Sequence, residues 1–198
     1  KVTNGRGKET LYIYQQVDVM PHLMSVDGVA STNCAASNST ITRNSIGMVT
    51  SITNEEGQVE SRSVSSSNGL PNTITFGSGT PEAIAVNYVW DTTIRKPSEI
   101  SYPGLRTNIT YGADELPSQV TYTDTTGHSV PYSTNGQTRT WTYSWQPHGL
   151  LQSIDGPLSG TGDQISFGYD ANGNLSSTTD ELGHVTSINS VDAMGRPT

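Results

Sequence analysis

Tyr169-Asp170-Ala171-Asn172-Gly173-Asn174-Leu175, with its weaker copy Val191-Asp192-Ala193-Met194-Gly195-Arg196-Pro197, decides how this chain is read. Asp170 to Asp192 and Gly173 to Gly195 both span 22 residues. Self-similarity at a period of this size points to a repeat architecture, in which each unit buries its surface against the next. Between the copies lies a second turn, Asp180-Glu181-Leu182-Gly183, followed by His184-Val185-Thr186-Ser187-Ile188. Each unit therefore holds two turns, each leading into a run of alternating side chains.

Working backwards, Gly47 to Gly69 and Gly127 to Gly149 are again 22 residues, and Gly47 to Gly57 repeats the 10-residue step from Gly173 to Gly183. Gly69-Leu70-Pro71, Glu115-Leu116-Pro117 and Gly195-Arg196-Pro197 form a variant that ends in proline. Insertions at Ser78–Asn87 and Leu158–Asp163 break the period. The chain divides into 1–41, an N-terminal β segment in which the repeat is not legible, and 42–198, a degenerate repeat array that is clearest at 165–198.

These turns resemble the YD (Tyr-Asp) repeat of the Rhs (rearrangement hot spot) family. Tyr169, Asp170 and Gly173 carry the match, with Asp180 and Gly183 in the second turn and Asp192 and Gly195 in the next copy. The Tyr-Asp pair becomes Trp145-Gln146, Tyr111-Gly112 and Val191-Asp192 elsewhere. The resemblance implies an all-β fold of repeated antiparallel hairpins, winding as a twisted, spiralling sheet that forms part of a large hollow shell. It implies a structural role in a bacterial protein that is secreted or held at the cell surface, of the polymorphic-toxin kind. Its partners would be neighbouring YD repeats and a C-terminal toxin or effector domain of the same parent chain, enclosed by the shell. No residue here matches the family's self-cleavage motif. The chain begins Lys1-Val2-Thr3 and ends within a repeat, as expected of a piece of a longer protein.

Composition agrees with a sheet. Only 32% of residues are hydrophobic and 14% charged, which suits one dry and one wet face better than a thick two-layer core. Trp141, Tyr143 and Trp145 alternate with Thr140, Thr142 and Ser144, and Ile84, Val86, Tyr88 and Trp90 make a similar stripe. Ile165, Phe167 and Tyr169 continue the theme, as do Ile109 with Tyr111 and Val120 with Tyr122. Period-2 alternation of this kind marks a half-buried strand. Leu11-Tyr12-Ile13-Tyr14 reads as a strand and Met20-Pro21 as a break. Asn135-Gly136, Asn172-Gly173 and Asn68-Gly69 read as type I′ hairpin turns.

The net charge of −8 and the absence of any Lys/Arg run argue against nucleic acid and against a polybasic membrane contact. No apolar run approaches the roughly 20 residues of a membrane span. Neither a metal nor a cofactor is expected. Asp170, Asn172, Asn174 and Glu181 imitate a calcium loop, but Leu175 stands where such a loop needs glycine. Asp124, Asp155, Asp170, Asp180 and Asp192 are carboxylates a glycosidase would need, yet most lie in turns that explain them. His22, His128, His148 and His184 share no ligand spacing, Cys34 has no evident triad partner, and no Gly-x-Ser-x-Gly elbow occurs, so an enzyme is not expected. Sequons at Asn38, Asn108 and Asn174 carry no weight in a bacterial protein. The alternative to a shell is an extracellular carbohydrate- or protein-binding adhesion module, with Trp141, Tyr143 and Trp145 stacking on a ligand.

Overall fold

The computed structural model describes residues 1–30, 32, 35–192 and 194–196. They form an all-β chain in which strand order in the sheet is chain order and the resolved pairings are antiparallel. Two units are distinguished, Lys1–Val89 with Ser101–Pro103, and Trp90–Ile100 with Gly104–Thr198.

The first unit carries β1 (Val2–Thr3), β2 (Glu9–Val17), β3 (Met20–Gly28), β4 (Ser37–Arg43), β5 (Val49–Thr53), β6 (Val59–Val64), β7 (Pro71–Phe76) and most of β8 (Ile84–Asp91). Cross-strand partners share a face. Ile41, Ile52, Glu60, Phe76 and Ile84 therefore form one row, and Thr42, Ser51, Ser61, Thr75 and Ala85 an opposite one. Glu60 is paired with Arg62 at 2.5 Å on the largely apolar face.

The second unit carries most of β9 (Lys96–Tyr102), then β10 (Leu105–Tyr111), β11 (Pro117–Asp124), β12 (Thr138–Trp145), β13 (Leu151–Asp155), β14 (Ile165–Tyr169), β15 (Leu175–Thr179) and β16 (Val185–Ser187). Ile109, Val120 and Trp141 align across three strands, and Tyr143, Ile154 and Ile165 across the next three. The other face is a hydroxyl ladder, in which Thr121 and Thr140 meet at 2.9 Å and Ser144 and Ser153 at 2.6 Å. β-Branched and aromatic side chains suit such a pleated surface, so the expected alternation is realised strand by strand.

The burial is less than the composition suggests. Among the described residues no hydrophobic side chain is buried, and Thr123, 6% exposed, is the one buried polar side chain. The apolar face is patterned but not covered within the chain, so it stays half-exposed rather than dry.

Two turn expectations need correction. The break expected at Met20-Pro21 lies earlier, at Asp18-Val19, where Asp18 takes φ +58° and Val17 pairs with Met20. Asn135-Gly136 does not join two strands directly but closes a turn at the end of the loop 125–137, with Gln137 N–H donating to Thr134 O at 2.9 Å. A type I′ turn needs positive φ at both central residues, whereas here, as at Asn68-Gly69 and Asn172-Gly173, only the glycine has it.

Candidate functional site

The Asp-x-x-Gly segments that begin at Asp170, Asp180 and Asp192 share one geometry, whereas Asp124-Thr125-Thr126-Gly127 does not, Asp124 O accepting Gly136 N–H and Gly127 lacking the positive φ. In the Asp170 turn, Asp170 N–H donates to Asn174 O at 2.9 Å and Gly173 N–H to Asp170 O at 3.0 Å. Asp170 Oδ1 accepts the N–H groups of Asn172 at 2.8 Å and Asn174 at 2.9 Å, and Oδ2 accepts Asn174 Nδ2 at 3.0 Å. Asp180 and Asp192 repeat the arrangement, their outer oxygen meeting His184 Nδ1 at 3.0 Å and Arg196 Nε at 2.8 Å. Gly173, Gly183 and Gly195 sit at φ +81°, +82° and +76°, which a side chain strains to adopt.

These bonds hold the carboxyls below the usual aspartate range. The leading cause is the Asn174 side chain for Asp170, the His184 backbone N–H for Asp180 and the Arg196 side chain for Asp192. Acceptors already saturated by turn donors are poorly placed to bind a cation or a substrate.

The same turn occurs with asparagine at Asn4, Asn44 and Asn54, where Oδ1 again accepts two backbone N–H groups. Asn4 lies in the segment where the repeat was not legible. The signal was present as Asn4-Gly5-Arg6-Gly7, but no strong strand pattern preceded it. Gly112-Ala113-Asp114-Glu115 is a variant in which Glu115 takes φ +60° and Lys96 Nζ donates to Glu115 O at 2.6 Å.

The residue before the turn has a separate task. A bulge falls between Gly168 and Tyr169, between Ser144 and Trp145, between Thr110 and Tyr111, and between Thr42 and Arg43. Bulges increase local twist, so neighbouring hairpins diverge there. The β11–β12 ladder accordingly stops at Gln119 and Thr142, and the β13–β14 ladder at Ser153 and Ser166. Beyond those points a side chain spans the gap.

Trp145 Nε1 donates to Pro117 O at 2.8 Å, and Tyr169 Oη to Leu151 O at 2.9 Å. Pro117 and Leu151 are the residues opposite the bulges at Tyr111 and Trp145, so each hairpin is latched to the equivalent point of its predecessor. Tyr111 Oη reaches Pro97 O at 2.8 Å. Arg43 Nε reaches Leu23 O at 3.4 Å, Leu23 being opposite the bulge at Tyr14. Trp145 and Arg43 thus do the task of the repeat's tyrosine, and Val191 has no donor to do so.

The aromatic stripe is consequently divided. Trp145 is a latch, while Trp141 and Tyr143 line a groove of about 630 Å³ with Leu105, Tyr122, Asp124 and Arg139. The Tyr122 and Trp141 rings meet edge to face, 5.2 Å apart at 86°. Burial, then Tyr122, pushes the Tyr143 hydroxyl above its ordinary range. Asp124 Oδ1 accepts Thr126 N–H and Oδ2 accepts Thr134 Oγ1, both at 2.7 Å, and the Thr134 bond leads in holding its carboxyl low. Tyr122, Asp124 and Arg139 were not singled out as groove residues, because only the register brings them beside Trp141. Cys34 lies outside the described residues.

What the geometry defines is an antiparallel hairpin-repeat sheet of the YD type. Stretches of Tc toxin structures, which contain Rhs/YD-repeat shells, share it. The crystal structure of TcdB2-TccC3-TEV matches with a TM-score of 0.64 at 11% identity over 86% of this chain. A Photorhabdus luminescens Tc holotoxin pore matches with 0.63 at 12% over 87%, and TcdB2-TccC3-Cdc42 with 0.62 at 11% over 83%. This chain spans 9% of each of those chains. At such identities the likeness is one of fold. No protein-family model matches the chain, and no curated protein matches it in sequence.

Proposed function

We propose that this chain is a strip of the wall of a YD-repeat shell, belonging to a secreted or surface-held bacterial protein and helping to enclose a toxin or effector domain of the same parent chain. The observation that carries the reading is the fold shared with several Tc toxin structures over 79–87% of this chain. The physical chemistry supports it. A sheet with a patterned apolar face but no hydrophobic side chain buried among its described residues is stabilised by continuation into neighbouring repeats, since each unit of an array relies on its neighbours' interfaces. The role of the repeat residues Tyr169, Asp170, Gly173, Asp180, Gly183, Asp192 and Gly195 is then to set turn and spacing, and the low charge leaves a wall that holds cargo without strong attachment.

Cryo-electron microscopy of the parent protein tests this. The expected map places β1 to β16 consecutively in a wall bounding a closed cavity. A map in which this segment stands apart from any cavity contradicts the proposal.

A further inference from the structure

The donor-bearing aromatics of the second unit fall into two groups. Tyr111, Trp145 and Tyr169 each donate to a backbone carbonyl. Tyr122 Oη, Trp141 Nε1 and Tyr143 Oη have no acceptor among the described residues, and neither has the guanidinium of Arg139, which pairs across the ladder with Tyr122. These four groups line one groove, beside Leu105, Gln137 and Thr138. The one acid in that lining, Asp124, has both oxygens occupied by Thr126 and Thr134. The wall is therefore aromatic, rich in donors and poor in available carboxylate acceptors, with a single cation.

We propose that this groove binds a carbohydrate bearing carboxylates, of the uronic-acid oligosaccharide class. Aromatic rings present flat apolar surfaces that fit the C–H faces of a pyranose, and their polar tips reach its hydroxyls. The Arg139 fork matches a carboxylate in bidentate geometry. The volume, about 630 Å³, lies in the range of about 300–1,000 Å³ usual for small-ligand sites. The inference stands independently of enclosure. In this proposal Tyr122 and Arg139 join Trp141 and Tyr143 in the groove, while Trp145 donates to Pro117 O instead.

The test is a titration of the whole chain with tetragalacturonate, followed by tryptophan fluorescence, with cellotetraose and a polyglutamate peptide in parallel. The expected result is saturable quenching by tetragalacturonate alone. Arg139→Gln weakens it about tenfold or more, as loss of a charge-assisted hydrogen bond implies. Trp141→Phe removes most of the quench, while Trp145→Phe leaves the affinity within about twofold, since it shares no groove contact. Arg139 is exposed, so Arg139→Gln folds normally and an unaltered far-ultraviolet circular dichroism spectrum verifies it. Absence of saturation overturns the proposal, as does equal binding of cellotetraose or polyglutamate, or an affinity indifferent to Arg139→Gln.

Discussion

Tyr169→Phe removes the hydroxyl that reaches Leu151 O at 2.9 Å and leaves the ring in place. A neutral intramolecular hydrogen bond contributes about 0.5–1.5 kcal/mol net. Tyr169 and Leu151 are both half-buried, so water partly replaces the lost donor and the lower half of that range applies, about 0.5–1 kcal/mol. For a chain of this size that lowers Tm by about 1–4 °C. Urea unfolding reads the cost as a lower midpoint at unchanged slope. Amide exchange then locates it, with β14 protection falling about two- to fivefold and β10 and β11 unchanged. Tyr111→Phe acts on a separate bond to Pro97, and the double variant costs the sum within about 0.5 kcal/mol. Wild-type stability in Tyr169→Phe, or a loss of protection spread evenly along the chain, refutes the latch.

The turns make further predictions. Gly57→Ala, at φ +79° with open space around a new Cβ, costs about 1–2 kcal/mol of backbone strain by thermal melting. Gly47→Ala costs more, because its Cβ would stand 2.8 Å from His22 Nε2, and adding His22→Ala returns the cost to the Gly57→Ala level. Glu115→Gly relieves a positive φ of +60° and raises Tm by about 2–4 °C, since only an exposed, weak contact with Lys96 is lost. The folded-state carboxyls of Asp170, Asp180 and Asp192 lie below their unfolded values. Their contribution is therefore complete above the ordinary aspartate range near pH 4 and is lost as pH falls through the lowered values. Substituting all three by Asn, the residue that already builds the turns at Asn44 and Asn54, flattens the acid limb of the urea midpoint against pH. An unchanged acid limb contradicts the assignment.

The strands were legible because alternation at Trp141–Trp145 and Ile165–Tyr169 is a local property of the chain. The turns at Asp170, Asp180 and Asp192 were legible for the same reason, since the side chain, the N–H groups that donate to it and the glycine lie within five positions. The latches were not. Trp145 reaches Pro117 across 28 positions, and no sequence spacing announces a bond from a side chain to a distant carbonyl. That is also why Trp145 and Trp141 read as one stripe although their indole N–H groups do different things. The groove was hidden because Arg139 and Tyr122 are brought together by ladder register. Likewise the type I′ reading failed because the asparagine before each glycine keeps negative φ, in turns that begin at Ser65, Thr134 and Asp170.

Protease protection of the parent protein tests the central claim most directly. The C-terminal domain is followed by immunoblot after limited digestion, in the intact protein and in one lacking the segment Lys1–Thr198. The account predicts a domain that survives digestion only when the segment is present. Equal survival in both proteins contradicts the shell-wall assignment.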